Sequence, residues 1–179
     1  MTTTAPRREL LLEAAAELFA ARGFYAVGID DIGAAAGISG PGVYRHFASK
    51  QELLAVLCDR TMDRMLAQAE AAQSLDELVD LQVRFAVEER ALLSVWVRER
   101  RALSEDVRRS LRRRQQRYEQ VWRAALAPLR PELQPDEVSF VVASALALLN
   151  ASSLVESPLG DDERRALLAR LAHATLEAA

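Results

Sequence analysis

Gly33-Ala34-Ala35-Ala36-Gly37-Ile38-Ser39-Gly40-Pro41-Gly42-Val43-Tyr44-Arg45-His46-Phe47 is the stretch that decides the fold of this chain. Six of its seven glycines fall between Gly23 and Gly42. Gly37-Ile38-Ser39-Gly40 supplies a tight turn, because glycine takes positive φ without steric cost and can end a helix. Pro41 fits the first turn of the helix that follows, where its missing N–H would have had no partner. The run Gly42 to Phe47 is too short to hold a helix alone and must be fixed by packing. Two short helices across such a turn have the layout of a helix-turn-helix DNA reader.

Outward from this stretch the chain reads as an all-α protein of about nine helices, with no convincing period-2 strand. The first helix spans about residues 6 to 22. It turns Leu11, Ala14, Ala15, Leu18 and Phe19 inward, with Glu9, Glu13 and Glu17 spaced by four along the opposite, solvent face. The second runs about 29 to 36 and the third about 40 to 46. Ser49 with Glu52 forms a capping box for a fourth helix over 50–71, and Ser74 with Glu77 repeats it for the fifth. Ala91 to Leu103 reads as a sixth helix; Ser104 and Asp106 open a seventh that Pro128 and Pro131 close. Pro135-Asp136-Glu137 opens an eighth, and Asp161 caps a ninth ending near Ala179. The domain boundary is expected on the fourth helix, giving a DNA-binding domain of residues 1–49 and a ligand-binding and dimerisation domain of residues 50–179.

The run Gly28-Ile29-Asp30-Asp31-Ile32-Gly33, continued through Ser39, Val43 to Phe47 and Ser49-Lys50-Gln51-Glu52-Leu53-Leu54, resembles the TetR family of bacterial transcriptional repressors. The likeness covers roughly the first 55 residues; beyond it the agreement is in length and helical character. It implies that Ser39, Gly40, Gly42, Val43, Tyr44, Arg45, His46 and Lys50 contact double-stranded DNA. Tyr44 and Lys50 would position phosphates, which fixes register without reading sequence. Gly42 and Val43 would approach base edges, Val43 meeting a thymine methyl. With few side-chain donors on that helix, specificity would draw on Arg45, water and DNA shape. The family usually carries a threonine near Gly28, whose hydroxyl can both cap the second helix and touch phosphate.

Charge alone does not advertise this role. The net charge is −3, and residues 1–50 hold five basic and five acidic side chains. Binding then requires the charges to segregate, with Arg7, Arg8, Arg45 and Lys50 on the duplex side.

The later helices supply two further expectations. The eighth is apolar all round from Val138 to Leu149, including Phe140, and so needs cover on two sides. A second copy of the chain provides it: the last two helices of each subunit form an isologous four-helix bundle. Such a homodimer sets two recognition helices about 34 Å apart on a palindrome. On the seventh helix, Arg114 and Gln115 interrupt the stripe of Val107, Leu111, Tyr118, Trp122, Ala125 and Leu129. Arg100 likewise continues the stripe of Leu93, Trp96 and Val97. Either such side chains snorkel to water, or they line a cavity for a polar or anionic small-molecule effector. On the second reading Trp96, Arg100, Arg114, Gln115, Tyr118, Trp122 and Asn150 form the pocket. Arg98 to Arg130 holds eleven arginines against four acids, which suits a solvated face or an anion such as an acyl-CoA thioester.

Other classes are disfavoured. Two histidines far apart, one helical cysteine and no Gly-rich phosphate loop assemble neither a catalytic group, a metal site nor a cofactor site. His173 reads as a surface residue. No apolar run approaches the roughly 18 residues of a membrane span. A lone cysteine, Cys58, suits a reducing cytoplasm.

Overall fold

A computed structural model describes residues 4–178. All regular structure among them is helical: α1 (Thr4–Arg22), α2 (Ile29–Ala35), α3 (Gly40–Val43), α4 (Lys50–Ala71), α5 (Leu75–Glu88), α6 (Arg90–Glu99), α7 (Glu105–Leu126), α8 (Pro135–Ser152) and α9 (Asp161–Glu177). Short 3₁₀ turns follow α6 (Arg100–Ala102) and α7 (Ala127–Leu129). The ninth helix's expected end at Ala179 lies outside the described residues.

Caps fix most of these boundaries. Ser49, Ser74 and Ser104 accept the backbone N–H three residues on, from Glu52, Glu77 and Val107, at 3.0, 3.2 and 3.4 Å. Each satisfies an orphan donor of a helix start. Gly37 ends α2 at φ +70, and Gly33 lets the two short helices touch: a Cβ there would sit 2.8 Å from the Ile38 carbonyl oxygen.

Three expectations are corrected. The third helix stops at Val43, and residues 44–46 turn by bonds such as His46 N–H to Val43 C=O at 2.8 Å. A Gly-Pro-Gly start is too weak a helix former to carry a full second turn. The sixth helix ends at Glu99 and tightens to 3₁₀ rather than reaching Leu103 as α-helix. Leu129 leaves the stripe of α7 because the 3₁₀ turn at Pro128 breaks the phase, and it is 61% exposed. Glu9, Glu13 and Glu17 are exposed, as expected, and stand along the rim of a cleft against α4, α5 and α6.

Between these exposed glutamates α1 buries two faces. Leu11, Ala15 and Phe19 (each 0% exposed) join Phe24, Ile32, Val43 and Phe47 in the reader, while Leu12 and Ala16 pack toward the C-terminal helices. One continuous apolar core therefore runs from reader to α9. α4 lies along it, with Leu53, Leu54 and Leu57 at the reader end and Met62, Met65 and Leu66 beyond.

Candidate DNA-reading face and effector chamber

Ser39 caps α3, accepting the Gly42 N–H at 3.3 Å. Its own hydroxyl hydrogen stays available to a phosphate. Ser39, Pro41, Tyr44 (56% exposed), Arg45 and Ala48 make the open surface of this helix and its turn. Gly40 and Gly42 are buried, Gly40 beneath the Asp30 side chain. Val43 corrects the sequence expectation: at 0% exposed it belongs to the reader core and cannot reach a thymine methyl. His46 is half-buried, its Nδ1 without a hydrogen bond among the described residues.

Lys50 is engaged inward. Its ammonium donates to the carbonyls of Phe24 and Val27, both at 2.7 Å, and lies 4.4 Å from the centre of the Phe24 ring. Two of three donors are thus committed to holding the α1–α2 loop against the start of α4, leaving one for a phosphate. Arg7 donates to the Ala36 carbonyl at 3.1 Å, and Arg8 stacks over Phe47 at 4.3 Å. The charges do not segregate fully: Asp30 is exposed and lies over Gly40 at the start of α3. The Gly28 N–H at 2.7 Å, with Arg22 beside it at 3.4 Å, holds the Asp31 carboxyl below the usual carboxylate range.

In the C-terminal part α4, α6, α7 and α8 border a half-open cavity of about 370 Å³. Met62, Met65, Trp96, Val97, Leu146 and Ala147 give it apolar walls; Arg100, Gln115, Tyr118, Glu119 and Asn150 add polar groups. Arg100 stacks on Trp96 at 5.2 Å and donates to Gln115 Oε1 at 3.1 Å, and Gln115 Nε2 donates to Glu119 at 2.9 Å. Tyr118 donates to Gln82 Oε1 at 2.7 Å, and Gln82 Nε2 donates to Asn150 Oδ1 at 2.8 Å. That relay leaves the Asn150 NH₂ as a donor at the chamber wall. Burial pushes the Tyr118 phenol far above its ordinary range, so it remains a donor throughout.

The structure therefore gathers five of the expected pocket residues and separates two. Arg114 reaches away to pair with Asp59 and Asp63 on α4, because those carboxylates compensate its charge where the chamber would not. Trp122 lies behind Tyr118, ring centres 6.3 Å apart, and is 0% exposed. Gln82, 2% exposed, was not singled out in the sequence. It interrupts the stripe of Leu75, Leu78, Val79, Val83 and Ala86 much as Gln115 interrupts that of α7. A second recess of about 270 Å³ shares Trp96, Arg100 and Gln115 with the chamber and adds Arg101, Arg108 and Arg112. Neither Arg101 nor Arg112 has an ion pair among the described residues.

Cys58 is a packed thiol. Burial, with Asp59 nearby, pushes it up to about 12. No helix of the described residues is long and apolar enough to cross a membrane.

Residues 11–57 match the model of bacterial regulatory proteins of the tetR family, and residues 68–176 that of the tetracyclin repressor-like C-terminal domain. Over 61 residues the chain is 44% identical to the HTH-type transcriptional activator FasR of Mycolicibacterium smegmatis, covering 34% of this chain and 28% of FasR. The HTH-type transcriptional repressor KstR2 of Mycobacterium tuberculosis matches at 44% over 61 residues, 34% of this chain and 30% of KstR2. The chain thus spans less than a third of either relative by sequence. In three dimensions it is similar to AibR solved with isovaleryl coenzyme A and operator DNA: TM-score 0.78, 19% identity, 92% of this chain and 97% of that one. Both segments of the helix-turn-helix and the helical C-terminal body agree, and the chain belongs to the TetR family of bacterial transcriptional regulators.

Proposed function

We propose that this regulator is a homodimeric repressor of a palindromic operator, released when an amphiphilic small molecule enters the chamber. Residues 1–49 read DNA through Ser39, Tyr44 and Arg45, with Lys50 supporting one phosphate contact; residues 50–179 bind the effector and the second subunit. One observation carries the coupling: α4 seats the reader through Lys50, Leu53 and Leu54 and also lends Met62 and Met65 to the chamber wall. An effector that prefers a displaced α4 lowers operator affinity by that preference.

The chamber's chemistry favours an apolar chain with an anionic end. Apolar walls take the chain, the Asn150 NH₂ takes a carbonyl oxygen, and the Arg100, Arg101 and Arg112 recess takes negative charge. An acyl-CoA thioester has all three features, and the AibR complex with isovaleryl coenzyme A is in keeping with it. For dimerisation, Phe140 (76% exposed), Leu167 (36%) and Leu171 (41%) leave an uncovered apolar face on α8 and α9. The repressor direction proposed here is that of KstR2, whereas FasR is an activator. Titrating acyl-CoA thioesters of graded chain length into the protein–operator complex, read by fluorescence anisotropy, tests the proposal. Release at stoichiometric effector supports it; retention of DNA with every chain length refutes the effector assignment.

A further inference from the structure

A second cleft, about 350 Å³, separates α1 from α4, α5 and α6 and shares no residue with the chamber. Its floor is apolar, made by Leu12, Ala16, Leu57 and Leu92. Five glutamates and two arginines stand around it, a net charge of −3. Arg60 pairs with Glu9 at 2.5 Å, Arg64 with Glu89 at 3.2 Å, and Glu88 with Arg165 of α9 at 3.1 Å. That leaves Glu13 and Glu17, one helical turn apart on the same rim, without an ion pair among the described residues. Like charges four apart on a helix repel, so α1 carries a small electrostatic cost here that a cation relieves.

An independent feature marks the cleft. Thr61 lines it; the residue is 3% exposed, its hydroxyl makes no hydrogen bond among the described residues, and that oxygen is not one of the fully enclosed unpaired atoms, so it opens on the cleft. A hydroxyl that faces a cleft with no protein partner is a ready partner for an occupant. We propose that this cleft is a second ligand site, for an organic ammonium with an apolar body. The hydrocarbon lies on the Leu12, Ala16 and Leu92 floor, Glu13 and Glu17 face the ammonium, and Thr61 accepts one of its N–H groups. Because α1 carries Leu11, Ala15 and Phe19 of the reader core on its other side, an occupant presses directly on the reader.

The site is tested by calorimetry on the DNA-free protein with decylamine and, as the charge-reversed control, decanoate. One decylammonium per chain is expected, with Glu13→Gln/Glu17→Gln weakening it about five- to tenfold and Thr61→Val a few-fold at low salt. Ala147→Trp, which fills the separate chamber, should leave this binding unchanged. Four results each overturn the proposal: no heat with decylamine at millimolar concentration, equal binding of decanoate to Ala147→Trp, an unaltered affinity in the double glutamine variant, or loss of decylamine binding on Ala147→Trp. None of these readouts involves DNA, so failure here leaves the operator assignment standing.

Discussion

Tyr118 on α7 gives its phenolic hydrogen to Gln82 on α5 across 2.7 Å, and the opposite end of the same amide fixes Asn150 on α8 at 2.8 Å. The relay adds a directional lock to three helices that already share the apolar core, beside the effector chamber. Tyr118→Phe removes the donor and leaves a buried carbonyl oxygen unpaired, at a cost of about 1–3 kcal/mol. Melting should fall by roughly 2–12 °C. Gln82→Leu combined with Tyr118→Phe should cost less than the two separate losses added together, because each removes the same bond. Strict additivity in denaturant titrations would show that the relay does not act as a unit.

Arg100, Gln115 and Arg114 should separate into two classes. Arg100→Ala and Gln115→Ala remove groups at the chamber wall, so operator affinity stays while effector-driven release is blunted. Arg114→Met should do the reverse. It keeps the effector response but loses about 1 kcal/mol of stability, a modest figure because Asp59 and Asp63 are 41% and 63% exposed. Operator release curves and thermal melts on the three variants check this; an effector defect in Arg114→Met would return it to the pocket.

Lys50→Ala should be felt both in stability and in DNA binding. Loss of the two bonds to Phe24 and Val27 destabilises the reader by about 1–2 kcal/mol. Affinity then drops for every duplex alike, with a shallower dependence on salt if the third donor meets a phosphate. A loss confined to the operator would assign Lys50 to base reading instead.

Cys58 sets a pH limit. Its thiolate is disfavoured in the folded chain, with the group pushed up from 9.0 to about 12. The stabilisation from this raised value is complete below about pH 9 and disappears as pH rises toward 12. Cys58→Ala should flatten that alkaline loss in urea titrations at pH 8 and pH 10. In the parent protein at pH 8, iodoacetamide should modify the thiol only as fast as the chain opens, so rapid native-state labelling would contradict the burial argument.

Much of this architecture is legible in the chain because its signals are local. The bounds of α4 at Lys50–Ala71 match the expectation, since Ser49 and Glu52 mark the start within four residues. Phe140 shows where periodicity runs out. α8 reads as apolar on every side, and only packing reveals that Val142, Ala145 and Leu149 face the core while Phe140 stays outside. Val43 fails for a related reason: a position beside the DNA in sequence can still point inward when its helix is a single turn. Arg100 and Arg114 carry the same sequence signal, a charge in an apolar stripe, and what divides them is the presence of Asp59 and Asp63 on α4. Gln82 finds its partners 36 and 68 residues away, a relation no window along the chain contains.

Selection of bound duplexes from a random-sequence DNA library, followed by the mass of the protein–DNA complex, shows whether the chain reads a palindrome as a dimer. A dimeric operator reader gives one inverted-repeat consensus, a dissociation constant of roughly 10⁻⁸ M or tighter at physiological salt, and chains bound in pairs. Recovery of no consensus, or of an asymmetric site occupied by a single chain, would contradict it.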